Sequence, residues 1–327
     1  MIDPISIPSG VTRSVYFRWA LHVVAVLAVL FFVYQFVGLA WRMDWPLFAD
    51  AIARPGNWIP LLLVFLLMPL NWLLEARKWQ LLLGAFLVWS FPQVLKATLA
   101  GVSVSAATPN RIGEIGGRLL LAKRDEWEAV TASSLLGSLC QWSAFLLLAW
   151  PALLYTVGTL PGVSWAAPAL ALSALGPLVL FAVYIGGKPL ILKLLRWAES
   201  RFGRSVDALR SALANVNLRL MVASSAYACL RFVVYCTQLY LLLWFFGLEL
   251  PFLKGMAGIM AIYLVQAGIP LPPGVNLVTR TELGLLLWSA TPEGAVAVLA
   301  AYTALFVVNV LVPALPGYWL IVRKRYA

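Results

Sequence analysis

The chain alternates long apolar runs with short polar segments, and six of these runs are long enough to cross a bilayer. A transmembrane helix needs about 20 predominantly apolar residues to span the hydrocarbon core. The six runs are Val15–Trp41, Trp58–Leu74, Val130–Val157, Trp165–Gly186, Leu220–Gly247 and Ala295–Val322. The pattern therefore predicts an all-α integral membrane protein with six full transmembrane helices, in one transmembrane domain over residues 1–327.

Two further apolar stretches, Leu95–Ala107 and Gly255–Leu271, contain glycine and are broken by proline at or just beyond their ends. Each precedes a polar segment that bears arginine. Counting both as full crossings would place the basic interval Lys188–Arg219 outside the cell, against the positive-inside rule. We therefore expect each to form a re-entrant hairpin, whose irregular backbone is buried in protein or lines a wet cavity.

The surroundings of the two stretches resemble each other. Residues Leu81–Lys96 and Leu239–Lys254 are both leucine-rich and aromatic, and each ends in a proline followed by a Leu-Lys pair. This predicts two pseudo-repeat halves, approximately residues 13–160 and 165–325, each with three full spans and one hairpin. Three spans per half give an inverted repeat, as in many secondary transporters. The alternative is a chance likeness between two leucine-rich stretches.

Composition excludes an ordinary soluble domain, because 62% of the residues are hydrophobic and only 11% are charged. The net charge of +11 comes from bases that flank the apolar runs. With a cytoplasmic N-terminus, 19 of the 24 Lys and Arg residues fall inside and four outside, while Arg231 lies within a span. We therefore expect a multi-pass protein of the inner (plasma) membrane with both termini cytoplasmic. Its bases are expected to face anionic lipid and not nucleic acid.

The segment Thr108–Arg118 concentrates polar residues and glycines in an otherwise apolar sequence. A proline ends the incoming helix, and Asn110 is placed to cap a new helix that begins near Arg111. On that helix Glu114 faces both bases, because it lies three residues after Arg111 and four before Arg118. Free N–H groups at a helix start and two guanidinium groups suit a phosphate headgroup. The alternative is an Arg-Glu-Arg clamp that only locks the hairpin.

Charged residues also occur within the spans and in the second half. Arg231 lies near the middle of Leu220–Gly247, where an ionised side chain is costly unless it is paired. Glu75, at the end of the second apolar run, is its available partner, in a pair that is either structural or part of a headgroup or proton path. Arg280 and Glu282 follow the second hairpin and form either an interfacial anchor or a second site. Glu282 is the acid nearest to Arg280 and is expected to neutralise it when no lipid is bound.

Catalytic motifs and metal sites are not predicted. The chain has one histidine, and its three cysteines show no metal-binding spacing. The acidic cluster Asp125–Glu128 is either a helix cap or a weak carboxylate site for a metal. We therefore expect a protein that is not an enzyme and needs no cofactor.

Three motifs are distributed along the chain: NWLLEARKW at Asn71–Trp79, TPNRIGEIGGR at Thr108–Arg118, and Pro-Gly…Arg-x-Glu from Pro273 to Glu282. Together they resemble the lysylphosphatidylglycerol synthase transmembrane, or flippase-domain, family over nearly the whole chain. The resemblance implies an α-helical module that moves lipids between leaflets. It assigns functional charges to Glu75, Arg77, Arg111, Glu114, Arg118, Arg280 and Glu282. The aminoacyltransferase domain of longer members has no counterpart here, which predicts a stand-alone member, and the last motif lacks the family's adjacent Arg-Glu.

These features favour a lipid flippase or transporter that works by alternating access. Its partners would be membrane lipids with an anionic headgroup, of the phospholipid or polyprenyl-phosphate type. Arg111 and Arg118 would grip the headgroup on one side, Arg280 would receive it on the other, and a cavity near Glu75 and Arg231 would lie between. Two alternatives stay open: a membrane enzyme acting on lipid-linked substrates, and a non-transporting partner of a separate lipid-modifying enzyme. Homo-oligomerisation is compatible with each.

Overall fold

The computed structural model describes residues 58–106, 112–159, 172–180, 182–184, 216–267, 273–288 and 292–326, together with the isolated positions 46, 49, 50, 53 and 193. In these ranges the chain consists of helices and short connections, without any strand. This confirms the predicted all-helical class. Lipid offers the backbone no hydrogen-bond partner, and a helix satisfies its backbone groups internally.

The described helices fall into two runs, one on each side of residues 185–215. The first run consists of α1 (Trp58–Leu83), α2 (Phe91–Ser105), α3 (Ile112–Leu121), a 3₁₀ turn (Arg124–Glu126), α4 (Trp127–Ala144), a π-helical turn (Phe145–Ala149) and α5 (Trp150–Gly158). The second run consists of α6 (Leu218–Phe245), α7 (Phe252–Ala267), α8 (Pro273–Trp288), α9 (Pro292–Phe306), a π-helical turn (Val307–Leu311) and α10 (Val312–Tyr326).

Four helical stretches in the described residues are long and apolar enough to cross a membrane. They are Trp58–Leu83, Arg124–Gly158, Leu218–Phe245 and Gly294–Arg323. Each overlaps one of the predicted apolar runs, so these four runs are confirmed as helices of spanning length. The predicted run Val15–Trp41 lies outside the described residues, and Trp165–Gly186 is only partly within them. The count of six spans stays a prediction.

The two broken apolar stretches form short helices in place of spans. α2 has 15 residues and α7 has 16. At about 1.5 Å per residue, neither helix reaches across a hydrocarbon core of about 30 Å. α2 packs against α3, and α7 packs against α8. Short paired helices are what the hairpin prediction requires at Leu95–Ala107 and Gly255–Leu271, while their re-entrant course in a bilayer stays a prediction.

Glycine allows α2 and α3 to approach closely. A Cβ atom added at Gly117 would lie 2.6 Å from the Cα atom of Gly101 and closer than 3.0 Å to the carbonyl oxygen of Ala100. Real Cβ atoms do not approach other atoms so closely, so the two backbones meet because residue 117 has no side chain. The next residue, Arg118, is thereby carried into the interior of the protein.

Two of the long helical stretches contain a π-helical turn followed by a proline. Pro151 comes two residues after Phe145–Ala149, and Pro313 comes two residues after Val307–Leu311. Proline has no N–H group for the helical hydrogen bond, and its ring crowds the carbonyl four residues earlier. A wider turn relieves this crowding, and such turns are frequent at functional sites.

The two runs of helices are packed into each other. α1 lies along α6, while α10 packs on α2 and α5 packs on α7. A Cβ atom at Gly317 would overlap the carbonyl oxygen of Leu99, and Ser103 Oγ donates to the carbonyl of Ala314 at 2.7 Å. The final helix of each run therefore rests on the first short helix of the other run.

α1 reverses the polarity of a helix in a soluble protein. Ile59, Leu62 and Leu66 are 67%, 59% and 60% exposed, whereas Asn71 and Glu75 are 0% and 2% exposed. Apolar side chains on the outside and polar side chains inside suit a lipid surround. The buried polar side chains of α1 form the centre of the site described next.

Candidate functional site

A buried carboxylate on α1 lies at the centre of a cluster of charges. Glu75 accepts ion pairs from Lys78 Nζ at 2.7 Å, from Arg118 Nη2 at 3.1 Å and from Arg231 Nη1 at 3.0 Å. Arg118 also pairs with Glu114, one helical turn before it on α3. We call these five residues, Glu75, Lys78, Glu114, Arg118 and Arg231, the Glu75 cluster. Three helices, α1, α3 and α6, supply its members.

Two of the three guanidinium nitrogen atoms of Arg118, Nη1 and Nη2, have hydrogen-bond partners. Its side chain is 2% exposed, Nη1 donates to Ser134 Oγ at 3.0 Å, and the guanidinium lies 4.2 Å from the ring centroid of Trp79. Trp79 in turn donates to Ser133 Oγ at 2.9 Å. Arg118 Nε is buried and has no hydrogen-bond partner in the described part of the chain.

Arg231 extends the cluster to the last span. Its Nε donates to Asn71 Oδ1 at 3.0 Å, and Asn71 Nδ2 donates to Asn309 Oδ1 at 2.9 Å. Asn309 lies in the π-helical turn Val307–Leu311, so an irregular turn presents this amide to the cluster. The Arg231 guanidinium also lies 5.1 Å from the ring centroid of Trp72 and within 3.5 Å of Gln141 Oε1.

Not every buried donor beside the cluster has an acceptor in the described residues. The described ion pairs join three bases to two carboxylates. Three buried donors next to these groups also have no acceptor among the described residues: Arg118 Nε, Trp72 Nε1 and Asn309 Nδ2. A buried donor without an acceptor costs free energy. An anion with several oxygens would supply the missing acceptors.

The second run of helices holds a smaller polar group around Arg280 on α8. Arg280 Nε donates to Gln266 Oε1 on α7, and the guanidinium lies 4.7 Å from the ring centroid of Tyr263. The hydroxyl groups of Tyr263 and Tyr302 are buried without a partner in the described residues. Within the same residues Arg280 forms no ion pair, so this group also lacks a counter-charge.

The expected neutralisation of Arg280 by Glu282 does not form in the described residues. Glu282 is exposed, and its carboxylate makes no contact with the arginine. Both residues lie within α8, two positions apart, and residues at that spacing on a helix point in different directions.

The other predicted site residues divide into three groups. Glu75, Glu114, Arg118 and Arg231 meet in the Glu75 cluster, as the sequence predicted for Glu75 with Arg231 and for Glu114 with Arg118. Arg77 is exposed, donates to Gln80 Oε1 at 2.8 Å and stacks on Phe91, so it lies outside the cluster. Asn110 and Arg111 lie outside the described residues.

Sequence reasoning missed several members of these sites. Lys78 pairs with Glu75, because a spacing of three residues places it on the same helix face, whereas the family resemblance had assigned a functional charge to its neighbour Arg77. Asn309, Ser134 and Gln266 were also missed. Each is a polar residue inside or beside an apolar helix, and that is the one feature of the sequence that could have indicated it. For uncharged residues this feature is a weak indication of a site.

Metal ligands do not gather in the described residues. They contain no group of three or more His, Cys, Asp or Glu side chains placed to hold a metal ion. Within the acidic cluster Asp125–Glu128, Glu126 accepts from the backbone N–H of Lys123 at 2.8 Å and from Trp89 Nε1 at 3.1 Å. Glu126 therefore caps the turn that begins the Arg124–Gly158 stretch, as one of the two interpretations proposed.

Comparison with known proteins identifies the family. The family model described as the lysylphosphatidylglycerol synthase TM region matches residues 19–317, which is nearly the whole chain. No curated protein matches the sequence. The helices of spanning length and the sequence motifs of this chain agree with a lipid-related membrane family. The chain therefore belongs to the lysylphosphatidylglycerol synthase TM region family.

Proposed function

We propose that the protein moves an anionic lipid between the two leaflets of the membrane, with the Glu75 cluster as the site that holds the headgroup in transit. One observation carries the proposal: the described cluster is buried among helices of spanning length, and buried donors beside it have no acceptor in the described residues. A purely structural ion network is expected to satisfy its donors, because each buried donor left over destabilises the fold.

The arrangement favours exchange of one anion for another. Arg118 and Arg231 reach Glu75 from different helices, and each contributes a guanidinium group that suits the paired oxygens of a phosphate. A headgroup that entered between them would take over contacts now made by the carboxylate. Arg118 Nε would gain an acceptor at the same time.

Arg280 offers a second position for the same headgroup. It has Gln266 and Tyr263 as neighbours but no described carboxylate as a partner. In the proposed inverted arrangement, α8 follows the second hairpin as α3 follows the first. The headgroup would then pass from Arg118 on the cytoplasmic side to Arg280 on the opposite side.

The proposed inverted repeat places the two halves in opposite senses across a plasma membrane, with cytoplasmic termini. Several paired features support it: a short helix pair in each run of helices, and a π-helical turn followed by proline in each final span. The reciprocal packing of α10 on α2 and of α5 on α7 is a further feature that two related halves would share.

A reconstituted translocation assay tests the proposal. The protein is incorporated into vesicles with trace fluorescent phosphatidylglycerol, and a membrane-impermeant reductant reports how much label reaches the outer leaflet. Arg231→Ala is expected to slow translocation by about tenfold or more, because one hydrogen bond to a charged group contributes about 1.5–3 kcal/mol. Fluorescent phosphatidylcholine, a zwitterionic lipid, should move more slowly than phosphatidylglycerol.

Arg219→Ala is the matched control, because Arg219 lies on the same helix α6 but is exposed. It should translocate at the wild-type rate. Equal rates for Arg231→Ala and wild type would overturn the role of the Glu75 cluster. Phosphatidylglycerol binding without any translocation by the wild type would instead favour the accessory-partner alternative.

A further inference from the structure

A cleft of about 710 Å³ lies at one end of the helices, and no residue of the Glu75 cluster lines it. Its polar lining includes three bases, Lys96 of α2, Lys123 after α3 and Arg323 of α10, with Glu126 as the only carboxylate of the lining. Apolar side chains, among them Leu320, form the rest of the wall.

Within the described lining of this cleft, one carboxylate faces three bases, so its positive charge is only partly compensated. Glu126 uses Oε1 to accept from Trp89 Nε1 and Oε2 to accept from the backbone N–H of Lys123, so uncharged donors occupy both oxygens. Lys96, the Lys123 ammonium and Arg323 form no ion pair in the described part of the chain. Arg323 lies 5.2 Å from the ring centroid of Trp319.

The cleft lies at the level where the apolar helices end. Arg323 is the last residue of the spanning stretch Gly294–Arg323, and Lys123 directly precedes the stretch Arg124–Gly158. At such positions bases meet lipid phosphates, while apolar side chains continue into the acyl region. Val88, which is 91% exposed, lies on the wall of the cleft and extends its apolar surface outward.

We propose that this cleft is a separate anion site, apart from the Glu75 cluster. It holds the phosphate of an anionic lipid at the membrane surface with Lys96, Lys123 and Arg323. A phosphate group is the chemistry that three bases without counter-ions recognise, and the apolar wall favours a lipid as its source over free phosphate. This site does not depend on translocation through the Glu75 cluster, since a lipid bound here need not cross the membrane.

The test measures binding of short-chain phosphatidylglycerol to the full chain in nonionic detergent by isothermal titration calorimetry. All proteins carry Arg231→Ala, which is expected to weaken binding at the Glu75 cluster. The cleft variant combines Lys96→Ala, Lys123→Ala and Arg323→Ala. The matched control removes the same charge from exposed bases that do not line the cleft: Arg124→Ala, Arg219→Ala and Lys254→Ala.

The cleft variant is expected to bind phosphatidylglycerol about a hundredfold more weakly, and the control variant less than about twofold more weakly. Equal weakening in the two variants, or none in the cleft variant, overturns the site. Inorganic phosphate and short-chain phosphatidylcholine are titrated in parallel. If inorganic phosphate binds as tightly as phosphatidylglycerol and depends on the same three bases, the lipid source is overturned.

Single variants protect the test against misfolding. If the cleft variant does not elute as a monodisperse peak, Lys96→Gln and Arg323→Gln are measured separately, because both side chains are exposed and each change removes one charge. Each should weaken phosphatidylglycerol binding by about fivefold, and Arg124→Gln should leave it unchanged. Wild-type affinity in both cleft variants would overturn the proposal.

Discussion

Glu75 and Arg231 form a salt bridge of 3.0 Å that joins α1 to α6, and both side chains lie inside helices of spanning length. An isolated charge at this depth is expensive, so each partner makes the other tolerable. The same carboxylate also pairs with Lys78 and Arg118. Three bases from three helices therefore meet at one acid, which makes Glu75 the residue whose loss should disturb the site most.

Replacing Glu75 by glutamine should strongly destabilise the protein. The variant keeps the size of the side chain but leaves Lys78, Arg118 and Arg231 with Glu114 as their remaining described carboxylate. Removing one partner of a buried ion pair costs about 3–5 kcal/mol. Thermal unfolding in detergent, followed by circular dichroism, measures the effect.

Glu128→Gln is the control for this change, because Glu128 is exposed and lies in the first turn of α4. Its unfolding temperature should stay close to that of the wild type. If Glu75→Gln unfolds at the same temperature as Glu128→Gln, the buried network does not hold the helices together as described.

The same substitution at the neighbours Arg77 and Lys78 should change the translocation rate at Lys78 only. Lys78 is 1% exposed and donates to Glu75, whereas Arg77 is exposed and contacts Gln80. Lys78→Met should reduce translocation of phosphatidylglycerol by about tenfold, since it removes a charge-assisted contact within the cluster. Arg77→Met should translocate at close to the wild-type rate.

Both variants are measured in the same vesicle assay, after purification has shown that each is monodisperse. A larger loss of translocation in Arg77→Met than in Lys78→Met would show that the motif Asn71–Trp79 acts through its exposed arginine. That result would also contradict the assignment of Lys78 to the Glu75 cluster.

The sequence predicted the pairing of Glu75 with Arg231 because charge is rare within apolar runs. Arg231 lies near the middle of one apolar run and Glu75 directly follows another, and the cost of an isolated charge there indicates that the two meet. Glu114 and Arg118 were predicted from their spacing on one helix, which is local information. In the same way, apolar length predicted the four spanning helices that the structure describes.

Long-range packing explains what the sequence did not reveal. Neighbouring residues such as Arg77 and Lys78 point about 100° apart on a helix, and which of them is buried depends on the helices packed against that face. The contact between Asn71 and Asn309 joins positions 238 residues apart and requires the π-helical turn of the last span. The prediction that Glu282 neutralises Arg280 assumed that residues close in sequence are also close in space.

Arg280 and Glu282 should also separate in function. Arg280 is half-buried against Gln266 and Tyr263, while Glu282 is exposed. Arg280→Gln should slow translocation by about tenfold, because the second headgroup position loses its charge. Glu282→Gln should stay within about twofold of the wild-type rate, since no described base depends on it. Equal defects in the two variants would mean that the acid neutralises the arginine during the transport cycle.

Gly117 and Gly116 provide the closest matched pair for testing how α3 delivers Arg118 to the cluster. A Cβ atom at Gly117 would lie 2.6 Å from the Cα atom of Gly101, whereas at Gly116 it would meet only Val104 Cγ1, at an ordinary 3.9 Å. Gly117→Ala should therefore push α3 away from α2 and lower the free energy of unfolding by about 1–3 kcal/mol. Gly116→Ala should be neutral or slightly stabilising, because alanine favours a helix by about 1 kcal/mol over glycine.

Thermal unfolding and vesicle translocation are measured for both glycine variants. A loss of transport is expected in Gly117→Ala alone, since Arg118 moves with the helix. Wild-type stability and transport in Gly117→Ala would show that the close approach of α2 and α3 is not needed to position Arg118.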